Sequence, residues 1–141
     1  MEPIGHVRNN INASTREGWE EVASEIILNS NLEGTTEGLE QFSHIIVLFW
    51  MHQMPRHDSA PTKVHPKGRQ DLPLVGLFAT RSPQRPNPIG LSVVRLLECQ
   101  GNTLRVKGLD AINGTPVVDI KPYLPGDVVV GAKSPAWVAK L

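Results

Sequence analysis

Two stretches of this chain concentrate residue types that could do chemistry. The first, ATRSPQRPNPIGLS (79–92), puts three prolines and two arginines into the eight residues from Arg81 to Pro88. Proline fixes φ and removes an N–H donor, so the segment around Pro83, Pro86 and Pro88 can be neither a helix nor a central strand. It also holds Ser82, Arg85 and Asn87, each preceding a proline, in extended conformations. A stiff loop results that presents Arg81, Arg85 and Asn87 with little entropy left to lose, which suits an anionic or polar ligand. Gly90, just past the prolines, allows a close approach by a ligand or another part of the chain. The second stretch, LDAINGTPVVDIKPYLPGD (109–127), sets Asp110, Asp119 and Lys121 around an Asn113-Gly114 turn.

The elements that must position these residues are short. Bursts of Val, Ile and Leu alternate with punctuation from twelve glycines and twelve prolines. That is the rhythm of strands and turns. Strands are expected over PIGHVR (3–8), EVASEIILN (21–29), HIIVLFWMH (44–52), LVGLFAT (74–80), LSVVRLLEC (91–99), TLRVKGLDA (103–111), TPVVDIKPY (115–123) and GDVVVGA (126–132). The seven apolar residues of 45–51 suit a strand buried on both faces. INASTREGWEE (11–21) is polar and loop-like, LEGTTEGLEQF (32–42) holds at most a helical turn or two, and 53–72 reads as a long loop. Gly101-Asn102 and Asn113-Gly114 are turn signals. Together these predict an all-β fold: one domain over residues 1–141, a barrel of short, mainly antiparallel strands with long loops and little helix.

Fourteen Lys and Arg balance fourteen Asp and Glu, which argues against a bulk basic protein of the histone kind. The charge is unevenly spread. Residues 1–51 carry two basic and eight acidic side chains, whereas 52–87 carry six basic side chains against Asp58 and Asp71. In the loop 53–72, Arg56, His57, Lys63, His65, Lys67 and Arg69 are candidates for touching nucleic-acid phosphate. Cys99 is the single cysteine, so no intrachain disulfide forms. His52, His57 and His65 have no recognised zinc spacing, and no metal is expected. The N-terminus has no basic-then-apolar leader and Ile45–Met51 is too short to span a bilayer, so the expected location is cytoplasmic, without a membrane.

ATRSPQRPNPIGLS, LDAINGTPVVDIKPY and FSHIIVLFWMHQ (42–53), in their order and spacing, resemble the TrmO family, also called TsaA-like or YaeB-like. The resemblance runs from Ile4 to about Asp127. It implies an S-adenosylmethionine-dependent methyltransferase built on a β-barrel and working as a homodimer. The acceptor it implies is N6 of threonylcarbamoyladenosine, beside the tRNA anticodon. A glycine-rich strand-to-helix fingerprint is absent, in keeping with such a fold. By position, the family's cofactor contacts fall on His52 and Gln53, Arg81, Leu91, and Lys107, Gly108, Leu109 and Asp110. A further contact region falls on Glu17, Gly18 and Trp19, where TREGWEE departs from the family's proline-and-glutamine pattern. The family's DGTPV reads NGTPV here. Well-studied bacterial members continue into a smaller C-terminal domain, and this chain reads as a short form without it.

S-adenosylmethionine would place distinct demands on the chain. Its carboxylate end wants an arginine or backbone N–H groups, and its ribose wants a carboxylate or backbone groups. Arg81, Asp110 and the backbone of 107–110 could meet these needs, with Ile89 and Leu91 along the adenine. A base would help the poorly nucleophilic acceptor nitrogen, and Asp119, Asp110 and His52 are candidates by type. Arg85, Asn87, Lys121, Arg56, Lys63 and Arg69 are the candidate substrate contacts, with tRNA as the expected partner. Other acceptors, or a binding module without turnover, are the alternatives.

Overall fold

The computed structural model describes residues 1–13, 17–54 and 60–141, so Arg56 and His57 lie outside the described residues. Two compact units make up the chain, residues 1–52 with 89–124 and residues 53–88 with 125–141.

The first unit is a closed antiparallel barrel. Its strands are β1 (Gly5–Arg8), β2 (Ala23–Leu28), β3 (His44–Trp50), β6 (Ile89–Gln100), β7 (Thr103–Lys107) and β8 (Pro116–Pro122). They close in the order β1-β2-β7-β6-β3-β8, with β8 paired to both β3 and β1. Alternation along each strand fills the interior: Val7, Ile26, Ile45, Val47, Phe49, Val94, Leu104, Val106 and Val117 are at most 3% exposed. Helix is confined to three-ten turns among the described residues. The expected all-β barrel is therefore the fold.

β3 corrects one expectation. Only Ile45, Val47 and Phe49 of its apolar run are buried, while Ile46, Leu48 and Trp50 are half-buried. An antiparallel barrel strand turns one face inward and the other outward, so an unbroken apolar run does not mean burial on both sides. The close approach at Gly90 also has an identified partner. Phe49 lies opposite Gly90 in the β3–β6 ladder, and a Cβ on Gly90 would stand 2.4 Å from the Phe49 ring. The Gly101-Asn102 pair closes the β6–β7 hairpin, with Gly101 at φ 58° in the first turn position as a primed turn requires. A bulge between Leu96 and Glu98 then re-aims the far end of β6, so that Cys99 packs against the core.

Asn9, just past β1, ties three segments together. Its side-chain amide donates to Ser24 Oγ at 2.9 Å and to the Ala111 carbonyl at 2.9 Å, and its Oδ1 accepts from the Ile11 N–H. Ser24 and Ala111 are 2% and 3% exposed, so water does not readily replace these bonds.

In the second unit, β4 (Lys63–Val64) pairs with β5 (Val75–Gly76), and the Leu77 N–H extends the ladder to the Thr62 carbonyl at 2.9 Å. Two further expectations are corrected here. Of the strand predicted over 74–80 only Val75 and Gly76 are extended and paired, and Leu77–Ala79 form a three-ten turn. The strand predicted over 126–132 is absent: Val128, Val129 and Val130 are exposed after the Pro125–Asp127 turn. Three valines favour a strand only where a neighbouring edge pairs with them, and Val128–Val130 are paired in no sheet.

Replacing Gly90 by alanine drives a methyl into the Phe49 ring and should cost about 1–3 kcal/mol of stability. Asn9→Ala strands two buried partners and should cost about the same. Urea unfolding checks both: the midpoint should fall while the denaturant slope stays at its wild-type value.

Candidate functional site

Within the barrel unit, three of the candidate segments converge. Glu17, Gly18 and Trp19 lead into the three-ten turn Trp19–Glu21, which begins after Gly18 in a left-handed conformation at φ 84°. That turn lies against the end of β7. The Gly108 N–H donates to the Val22 carbonyl at 3.0 Å, and Lys107 pairs with Glu21 at 3.0 Å. Gly108 itself has φ 94°, so a glycine is what lets the chain swing from β7 into Leu109 and Asp110. Leu109 is fully buried in the core and anchors this corner, whereas Asp110 is exposed.

Asp110 is held in place from β6. The Ser92 hydroxyl donates to Asp110 Oδ1, and Ser92 is 9% exposed. Leu91, the next residue on β6, points the other way and is 57% exposed. One hydrogen bond thus joins the Lys107–Asp110 segment to the start of β6, where Leu91 lies. Asp110 makes no other hydrogen bond among the described residues, so its second oxygen remains available as an acceptor. Neither Ser92 nor Asn9 stood out in the sequence. A small polar residue at an inward strand position was the available sign for Ser92, and the polar run Asn9-Asn10 after β1 was the sign for Asn9.

His52 follows β3 in a turn and is exposed, with no hydrogen bond among the described residues. Asp119 and Lys121 lie further along β8, opposite Leu48 and Ile46 of β3. Lys121 pairs with Asp119 at 3.0 Å, and the Asp119 Oδ1 accepts the Ile120 N–H at 2.9 Å. Both oxygens of Asp119 are therefore engaged. The two residues form a solvated pair on the strand.

The second unit carries Gln53, Arg81, Arg85, Asn87, Lys63 and Arg69. Arg85 is bonded inside its own loop: its Nη1 donates to the Thr80 carbonyl at 2.8 Å and to the Ser82 carbonyl at 3.2 Å. Its guanidinium carbon stands 5.4 Å from the Phe78 ring centroid. Arg69 donates through two nitrogens to Asp71, at 3.1 and 2.6 Å, and a third reaches the Lys140 carbonyl. The hydrogen bonds from Arg69 hold the Asp71 carboxyl below the usual carboxylate range, and Asp71 in turn raises Arg69. Arg81, Lys63, Gln53 and Asn87 are exposed, and Arg81 and Lys63 form no ion pair among the described residues. No three of His, Cys, Asp and Glu come together as a metal site among the described residues. No helix among them is long and apolar enough to cross a membrane.

Chemically, each unit offers its own groups. In the second, Arg81 is an exposed guanidinium without an ion pair among the described residues, suited to a carboxylate. Asp110 is a fixed acceptor suited to ribose hydroxyls, and Leu91 is an exposed apolar side chain suited to a base.

Comparison with known proteins gives the same direction. Residues 12–127 match the tRNA-methyltransferase O N-terminal domain. An S-adenosyl-L-methionine-binding protein of Archaeoglobus fulgidus is 41% identical over 129 residues, which cover 89% of this chain and 89% of that protein. The human tRNA (adenine(37)-N6)-methyltransferase is 46% identical over 95 residues, 67% of this chain but 21% of that protein. The crystal structure of TrmO from Pseudomonas aeruginosa superposes with a TM-score of 0.74 at 35% identity, covering 94% of this chain and 59% of that one. The chain thus spans about three fifths of the solved TrmO chains it matches, 59–61% of their length. On its sequence match and its barrel alike, the chain belongs to the tRNA-methyltransferase O family, whose N-terminal domain it contains.

Proposed function

We propose that this chain is an S-adenosylmethionine-dependent methyltransferase acting on N6 of threonylcarbamoyladenosine beside the tRNA anticodon. In this reading residues 1–141 work as one domain, as a homodimer in the cytoplasm. The observation that carries the reading is the Ser92–Asp110 hydrogen bond, which gathers Leu91 and the Lys107–Asp110 corner at one place on the barrel. The human relative's name supports adenine in tRNA as the acceptor class.

The cofactor, when bound, supplies an electrophilic methyl group on a sulfonium. The chain's own residues then have to hold the nucleoside and relieve the acceptor of a proton. Asp110 accepts hydroxyl donors with its free oxygen, while Ser92 fixes the carboxylate's rotamer. The Trp19–Glu21 turn walls the corner at Gly108. As the new N–C bond forms, the proton on the acceptor nitrogen must leave. Among Asp110, Asp119 and His52, only His52 has no hydrogen bond among the described residues, so we assign its ring nitrogen that proton. Lys63, Asn87 and Lys121 are left as contacts to the RNA.

A second reading is binding without turnover. The Archaeoglobus relative favours it, because its name records S-adenosyl-L-methionine binding alone while the match covers 89% of its length.

Transfer of labelled methyl from S-adenosylmethionine to tRNA with and without the threonylcarbamoyl group separates the readings. Incorporation only into the threonylcarbamoylated form is expected. Tight cofactor binding without incorporation into either form would instead favour the binding module. Asp110→Ala removes a charged acceptor worth about 1.5–3 kcal/mol, so cofactor affinity should fall about 10- to 150-fold in equilibrium dialysis. Ser92→Ala only frees the carboxylate to rotate. It should raise the cofactor KM about 3- to 10-fold with kcat near wild type, the pattern of lost uniform binding.

A further inference from the structure

Phe78 is a large apolar side chain left 78% exposed on a backbone turn that is itself well fixed. It sits in the three-ten turn Leu77–Ala79, whose end is fixed twice: the Thr80 N–H and the Thr80 hydroxyl both donate to the Leu77 carbonyl, at 3.1 and 2.7 Å. Leu77 is 6% exposed and anchors the turn from below. The Arg85 guanidinium stands over the ring at 5.4 Å and is itself pinned by the carbonyls of Thr80 and Ser82. The stiffness of the Pro83–Pro88 loop keeps that arginine where it is. Phe78 also borders a cavity of about 340 Å³, within the range of small-ligand sites, lined by Ala60, Pro61, Thr62, Leu77 and Pro86 among others. An aromatic ring with a guanidinium on it, beside an apolar cavity, is suited to a flat π-system.

Charge decides which π-system. The unit that holds Phe78 carries eight Lys and Arg against three Asp, net +5, while the barrel unit carries six against eleven Asp and Glu, net −5. A polyanion is drawn to the first and repelled by the second. S-adenosylmethionine, with a sulfonium, an ammonium and one carboxylate, is a net cation and gains nothing from that field. We propose that Phe78, backed by Arg85, is the stacking platform for an unpaired base of the RNA substrate. The flanking phosphates are taken by exposed cations of the same unit, Lys63 among them. The proposal rests on the reading of the chain as a tRNA methyltransferase.

The test uses the full chain and a fluorescein-labelled anticodon stem-loop RNA, titrated by anisotropy across a salt series, with S-adenosylmethionine affinity measured in parallel. Phe78→Ala should weaken RNA binding about 5- to 150-fold at fixed salt. The slope of log K against log salt should stay unchanged, because a stacked base releases no counterions, whereas Lys63→Ala should lower that slope by about 1. Phe78→Trp should bind RNA within about 3-fold of wild type, since any aromatic face serves. Cofactor affinity should move less than about 2-fold in every Phe78 variant if the ring faces RNA alone. Wild-type RNA affinity in Phe78→Ala would overturn the platform while leaving the enzyme reading intact. So would a loss confined to cofactor affinity, which would place the ring in the cofactor site. If the wild-type chain binds no RNA at any salt, the tRNA reading falls and the platform falls with it.

Discussion

Closure of the barrel through β8 is the constraint on which the other features depend. One side of β8 pairs with β3 from Ile45↔Pro122 to Phe49↔Val117, and the other pairs with β1 at Gly5↔Val117 and His6↔Pro116. The β1 seam is short, and backbone bonds beyond it carry it on. The Ile4 N–H reaches the Val117 carbonyl, the Val7 N–H the Thr115 carbonyl, and the Gly114 N–H the Val7 carbonyl, at 2.8–2.9 Å. Within the closed ring, β7 is paired along its whole length, to β2 on one side and to β6 on the other. That rigidity is what allows a corner such as Lys107–Asp110 to act as a fixed surface.

Stability and function draw on different parts of that arrangement. The exposed ion pairs Arg8–Glu25 and Lys107–Glu21 add little to the fold, since water and salt screen them. Its stability comes from the apolar interior and the ladders. The residues that would meet a ligand lie outside the interior: Leu91 on the outward face of β6, Asp110 past the end of β7, His52 past the end of β3. Core and site are thereby decoupled, except at the buried Leu109 and at Ser92. The inward-facing Ser92 hydroxyl spends its hydrogen bond on an exposed carboxylate, which makes it a point where barrel packing reaches the candidate chemistry.

The opposite net charges of the two units extend the same division of labour. The acidic barrel unit holds Leu91, Asp110 and His52, the residues proposed for the cofactor and the proton. The basic unit holds the proline-locked loop and its stacked Arg85–Phe78 pair. The sequence had put Arg85 forward as a ligand contact. Its guanidinium is bonded to its own loop through Nη1 and stands over the Phe78 ring. Arg69 is similarly committed to Asp71, whereas Arg81 is free to act as first expected.

By itself the sequence determined whatever rests on local chemistry. Alternating apolar residues marked most barrel strands, Gly101-Asn102 and Asn113-Gly114 marked turns, and the prolines of 83–88 marked a rigid loop. These follow from steric rules that act over a few residues. Its motifs also carried the family resemblance. Tertiary structure decided what depends on register and on partners remote in the chain. It seated the Phe49 ring over Gly90, joined Ser92 to Asp110 and tied Asn9 to Ser24 and Ala111. It also left Val128–Val130 without a strand to pair with, although their residue type favours one. The physical reason is common to all four. A side chain's type says what it can bond to, but only the closed ladder says which distant atom stands within 3 Å of it.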